Sequence, residues 1–175
     1  MKLQDLIHLK GEVLIQEVDD IGTVSTLVDD RNLIVSNGRN TICKLLIGAS
    51  SISILDIAFG TGGTVRGNSS VAIAVDPTDT TVKALVPAVK GTDYSFSKVA
   101  DDTPSPRLVF NVVIPKEYLT GVSTITLLNG TGGIGVPISE IALMLSDNTA
   151  FAIKRFPSIT KSASTSIIIT WTIYI

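Results

Sequence analysis

The chain has 175 residues, 45% of them hydrophobic and 17% charged, with a net charge of −2 and a mean hydropathy of +0.43. That length suits one domain with a sizeable core. There is no basic stripe to meet a phosphate backbone, and the single cysteine, Cys43, excludes an intrachain disulfide and a cysteine-based metal cluster.

Charged residues fall short of the roughly 25% found in typical globular chains. No apolar run approaches the ~20 residues that cross a bilayer. The surplus apolar surface therefore points to a subunit interface, because obligate interfaces resemble a domain core cut in half.

Leu3, Leu6, Ile7 and Leu9 sit at helical spacing and predict a short docking arm over residues 1–10. The stretch lacks the long apolar core and small-residue cleavage site of a signal peptide, so synthesis in a cytoplasm is expected. Two β-rich runs, 12–18 and 23–28, flank Asp19, Asp20, Ile21 and Gly22 and predict a hairpin. Asp29 to Asn32 reads as another turn before Leu33, Ile34 and Val35.

A helix is predicted near 37–47. Ser36 or Asn37 is placed to cap it, Ile42, Leu45 and Leu46 form its apolar face, and Gly48 suits the left-handed position past its end. Cys43, beside Ile42, reads as a buried inert thiol. A strand from Ile52 to Phe59 closes at Gly60, Thr61, Gly62 and Gly63.

Residues 64–106 read as a loop-rich insertion or protruding flap. They contain Pro77, Pro87, Pro104 and Pro106, and short β runs at 71–75, 82–86 and 94–99 that proline confines to edges or loops. Strands follow at 107–115, 125–128, 138–145 and 150–156, the last two forming a hairpin about Ser146 to Thr149. The last stretch alternates strictly: Ile167, Ile169, Trp171, Ile173 and Ile175 point one way, and Ser166, Ile168, Thr170, Thr172 and Tyr174 the other. A strand that close to a terminus frays unless it is paired, so it is expected deep in a sheet. Many short strands at close spacing predict a mainly β chain: residues 1–175 as one antiparallel β-sandwich domain, Greek-key or jelly-roll-like, with one short helix.

Reactive constellations are absent from the pattern. The run from Gly130 to Gly135 matches G-x-G-x-x-G, but Val136 and Pro137 follow instead of a helix, and too little chain remains for a nucleotide-binding half. It reads as a glycine turn. His8 is the sole histidine and no G-x-S-x-G elbow exists, so no serine triad is predicted. The pairs Asp19/Asp20, Asp29/Asp30 and Asp101/Asp102 sit in apparent turns, where Asp bonds the nearby backbone, and no EF-hand spacing accompanies them. Trp171 reads as a core anchor. The residues predict no catalytic, cofactor-binding or metal-binding positions.

The order of segments carries a resemblance. Asp30 to Arg39 leads into a short helix ending Leu45, Leu46, Ile47, Gly48; then comes Ile57 to Thr64, later Ile138 to Leu143 and Phe151 to Phe156, and finally Ile159 to Ile173. Over about 30–64 and 138–175 this resembles tailed-bacteriophage virion proteins of the tail-collar fibre, baseplate or tail-fibre kind. The resemblance implies a non-enzymatic structural subunit at the neck/collar or tail, a homo-oligomer that also contacts other virion proteins. It implies no catalytic residues, no cofactors, no nucleic-acid or membrane partner, and a place in the virion after synthesis in the bacterial cytoplasm. A host-glycan-binding module of a phage tail, a capsid decoration protein and, least favoured, a polysaccharide depolymerase are the alternatives.

Overall fold

The terminal strand lies where its alternation demands. In the computed structural model, β11 (Ser166–Tyr174) pairs along its whole length with β1 (Lys10–Val18) on one side and β8 (Arg107–Ile114) on the other, so that Trp171 faces Val13 and Phe110. Its inward row of Ile167, Ile169, Trp171 and Ile173 is buried. The described residues are 9–49, 51–88, 90–91, 94–101, 107–116 and 137–174. Most of the arm expected at 1–10, His8, Asp102, the strand expected at 125–128 and the glycine run 130–135 lie outside them.

The remaining elements are β2 (Val24–Ile34), α1 (Ser36–Leu46), β3 (Ile54–Gly60), β4 (Thr64–Val65), β5 (Asn68–Ala72), β6 (Leu85–Val86), β7 (Ser95–Asp101), β9 (Pro137–Leu145) and β10 (Ala150–Thr160). Nine strands form one antiparallel sheet in the order β6-β3-β9-β10-β2-β1-β11-β8-β7, and β4-β5 is a separate ribbon.

The sheet curls because β2 serves two neighbours in succession. It pairs with β1 from Val24 to Asn32, then with β10 at Leu33 and Ile34. The two halves fold over one core, in which Val13, Ile169 and Trp171 from one half join Ile57, Phe59, Ile141 and Leu143 from the other. Side chains close the far side. The Tyr94 hydroxyl donates to Asp56 Oδ1 at 2.7 Å and to the Ile57 carbonyl at 3.3 Å. The ammonium groups of Lys90 and Lys98 reach the carbonyls of Leu55 and Ile54, and the Tyr94 ring meets Phe59 edge to face at 5.2 Å.

Several expectations change here. Asp29 to Asn32 is strand, not turn: pairing of Glu12 with Arg31 and Val13 with Asp30 overrides the turn preference of Asp and Asn. Lys154 of β10 holds the Asp30 carboxylate and the Arg31 carbonyl at that corner.

Neither Ser36 nor Asn37 caps α1. Val35 is the N-cap, with no side-chain cap bond, and the Ser36 N–H donates to the Pro77 carbonyl at 2.8 Å. Asn37 instead donates to Thr149 Oγ1. At the other end the expectation for Gly48 is met. It has φ +67, and bonds from Gly48 N–H to Leu45 and from Ala49 N–H to Lys44 complete a Schellman motif. Gly38 and Thr41, the buried residues of the helix, face inward, and a Cβ on Gly38 would lie 2.1 Å from the Phe151 carbonyl oxygen. This close approach on small residues leaves Cys43 exposed, contrary to the buried thiol expected.

Candidate interaction surfaces

The stretch from 61 to 84 does not protrude, because a buried ion pair clamps it to the outer face of β9 and β10. Alternation puts Ile141, Leu143 and Leu145 of β9 inward, so Glu140 and Ala142 face out. Glu140 is nevertheless fully buried, since the excursion covers it. Its Oε1 accepts the backbone N–H groups of Gly62 (3.2 Å), Lys83 (2.7 Å) and Ala84 (3.1 Å). Its Oε2 accepts Arg155 Nε at 3.1 Å. Arg155 also donates to the Ala74 carbonyl and to Asp79 Oδ2, both at 2.9 Å. Val75 and Val82 of the excursion pack with Ala142 and Ile153 in a second small core. Every polar atom of the carboxylate is thus engaged by the chain itself, which makes this a fastening and not a reactive centre.

The glycines at the end of β3 are set by packing, not by backbone conformation. Gly60, Gly62 and Gly63 do not have positive φ, which among the described glycines is confined to Gly22, Gly48, Gly67 and Gly91. They are needed for space. A Cβ on Gly62 would meet Lys83 Cβ at 2.7 Å, and one on Gly63 would meet the Ser139 carbonyl oxygen at 2.1 Å.

An apolar groove of about 740 Å³ opens at the end of the curled sheet where β1 begins. The apolar face of α1 does not pack flat on the sheet. Ile42, Leu45 and Leu46 form one wall, Val99, Ala100 and Leu108 of β7 and β8 another, and Phe110, Phe151 and Ile173 lie among its deeper lining. Among the described residues lining it, Lys98 is the one that is charged. Leu45 and Leu46 remain largely exposed and Ile47 is 77% exposed, so the helix presents apolar surface to solvent.

At the opposite end of β1 the β1–β2 hairpin carries Ile21, 88% exposed, with Val24 and Leu27 behind it. Asp19 organises the tip: its Oδ1 accepts the N–H groups of Ile21 (3.0 Å) and Thr23 (2.7 Å), and the Thr23 bond is the largest cause holding its carboxyl below the ordinary value. Asp20 pairs with Lys116 at 2.6 Å. Val65 and Val71 of the excursion, and Leu85 of β6 just beyond it, are also exposed.

Of the residues weighed from sequence, Trp171 is a buried core anchor. Asp19 and Asp20 sit in a turn, Asp29 and Asp30 in a strand, and Asp101 at the end of β7. Among the described residues no group of three His, Cys, Asp or Glu is placed to hold a metal, and no helix is long and apolar enough to cross a membrane. The terminal strand, expected deep in a sheet, has both edges paired with β1 and β8.

Glu140 and Arg155 did not announce themselves in the sequence. The available signal was charge within two apolar runs: Glu140 in Ile138 to Leu145, and Lys154 with Arg155 in Ala150 to Phe156. Comparison with protein families, with characterised proteins and with solved structures finds no match for this chain.

Proposed function

We propose that this chain is a non-enzymatic structural subunit of a bacteriophage particle, built into the neck/collar or tail, that assembles through self-association and contacts with other virion proteins. The segment order that resembles tailed-phage virion proteins supports the setting. The observation that carries the assembly role is unpartnered apolar surface on three separate elements: the hairpin tip, α1 with its groove, and the excursion. Apolar patches of this kind mark interaction sites in soluble chains, and several patches suit a subunit with more than one neighbour.

The fold reading that accompanies this function is a β-sandwich of Greek-key or jelly-roll type. Support comes from β2, which belongs to both halves of the curled sheet, and from the single core those halves share. A rigid two-layer body held by its central strand is suited to carrying load between neighbours.

Light scattering of the purified chain at micromolar concentration tests the assembly role, together with its detection in purified particles. A multimer, or a monomer that joins a ring or particle with its partners, is expected. A permanent monomer absent from particles overturns the proposal.

A further inference from the structure

We infer that copies of this chain associate head to tail, the β1–β2 hairpin tip of one copy seating in the α1–β7–β8 groove of the next. This rests on the self-association reading above and names the surfaces that perform it. The two surfaces lie at opposite ends of one rigid strand. Leu9, immediately before β1, lines the groove, and β1 ends at Val18, where the hairpin tip begins. Nine residues of β-strand separate the ends by roughly 30 Å. A knob and a hole so placed cannot meet within one copy without breaking the central sheet, but they can meet between copies.

Their chemistry is complementary. The knob is one exposed apolar side chain, Ile21, set beside the carboxylate of Asp19 and that of Asp20, which already pairs with Lys116, in a turn stiffened by the Asp19 bonds. The hole is apolar, and among the described residues its one charged lining residue is the cation Lys98, which spends one donor on the Ile54 carbonyl at 3.3 Å. No acidic residue is among the described residues that line it. An apolar residue flanked by carboxylates therefore finds both an apolar wall and a cation to meet it, and the rim charges orient the encounter. The contact joins two different patches, so it is heterologous: each pair of copies keeps one free knob and one free hole, and the assembly closes as a ring or extends as a filament.

Two variants of the whole chain test this by multi-angle light scattering after gel filtration. Ile21→Asp spoils the knob at a site exposed enough not to disturb folding. Ala100→Trp fills the hole from an exposed position on β7. Circular dichroism melts confirm that both remain folded. Each variant alone is expected to be monomeric where the parent is multimeric. An equimolar mixture is expected to form a species of two copies and no larger one, because only the sound knob of the Ala100→Trp copy and the sound hole of the Ile21→Asp copy can engage.

A mixture that stays monomeric, or either variant associating like the parent, overturns the head-to-tail contact. In the second case the parent still multimerises through another surface, and the structural-subunit reading stands. A parent that is monomeric throughout and absent from particles removes both.

Discussion

Among the described residues, Glu140 is fully buried and accepts from four donors on its two oxygens. Three of them are backbone N–H groups of a segment about sixty to eighty positions away in sequence. Glu140→Ala leaves those N–H groups and the Arg155 Nε–H buried with no acceptor, while the rest of the guanidinium keeps Ala74 and Asp79. Breaking one partner of a buried pair costs about 3–5 kcal/mol, and we expect a loss of that size in urea unfolding. A loss below about 1 kcal/mol, the level of exposed pairs, would mean that the excursion swings away and solvates them. A second test concerns the glycines. Gly63→Ala pushes a methyl group into the Ser139 carbonyl, a backbone atom that cannot step aside, whereas Gly67→Ala has open space and meets only the φ of +82. Left-handed backbone costs a non-glycine residue about 1–2 kcal/mol. Thermal melts should therefore show the larger destabilisation at Gly63; equal losses at both sites would refute the space argument.

Acid sensitivity also originates at this scale. The Lys154 bond, followed by the Arg31 backbone bond, holds the Asp30 carboxyl below its ordinary value of 3.8. A carboxyl with a lowered folded pKa contributes stability that is fully present above its unfolded value and is lost as pH falls through the folded one. Stability should therefore decline below pH 3.8. Asp30→Asn should lower stability at neutral pH, with the gap from the parent shrinking as the solution is acidified below that value. Melting curves across a pH series measure this; a gap independent of pH would show that the corner is not held by the ionised pair. The carboxyls of Asp76 and Asp147, lowered chiefly by bonds from the Thr78 and Thr149 side chains, add to the same acid dependence.

Among the elements, β11 is the one the sheet cannot lose. It separates β1 from β8 and supplies four inward side chains to the core. Truncation after Ser166 exposes both neighbours along their edges and removes Trp171 and several isoleucines. Each large buried side chain is worth about 2–5 kcal/mol on deletion, against a total of ~5–15 kcal/mol for a domain. No cooperative melt is expected, and one near the parent temperature would show that the strand is peripheral. The helix behaves differently. It packs through Gly38 and Thr41 and leaves Leu45, Leu46 and Ile47 outside, so Leu46→Lys should barely change stability while weakening association.

For the whole molecule, the testable quantity is the coupling of stability to concentration. A chain whose apolar surface is buried between copies is stabilised by mass action, because the folded form alone binds its neighbour. Its melting temperature should rise with protein concentration over the micromolar range and lose that dependence in Ile21→Asp. A melting temperature independent of concentration in the parent would contradict assembly through these surfaces.

The sequence by itself determined what local rules govern. Strict alternation made the terminal strand a half-buried one, because side chains repeat every second residue on a pleated backbone. Ser146 to Thr149 marked the β9–β10 hairpin, where Asn148 adopts φ 63, and Gly48 ended the helix where a left-handed residue was needed. Tertiary structure decided whatever depends on partners distant in the chain. Asp29 to Asn32 has turn composition, yet pairing with β1 extends it. The apolar face of α1 was legible as apolar, but not that it would line a groove instead of a core. Glu140 sits in a run that reads as ordinary strand, and only the return of residues 61–84 across β9 and β10 makes it a buried ion-pair partner. Periodicity reports which side chains share a face; what covers that face is set by long-range pairing, which leaves no periodic trace in the chain.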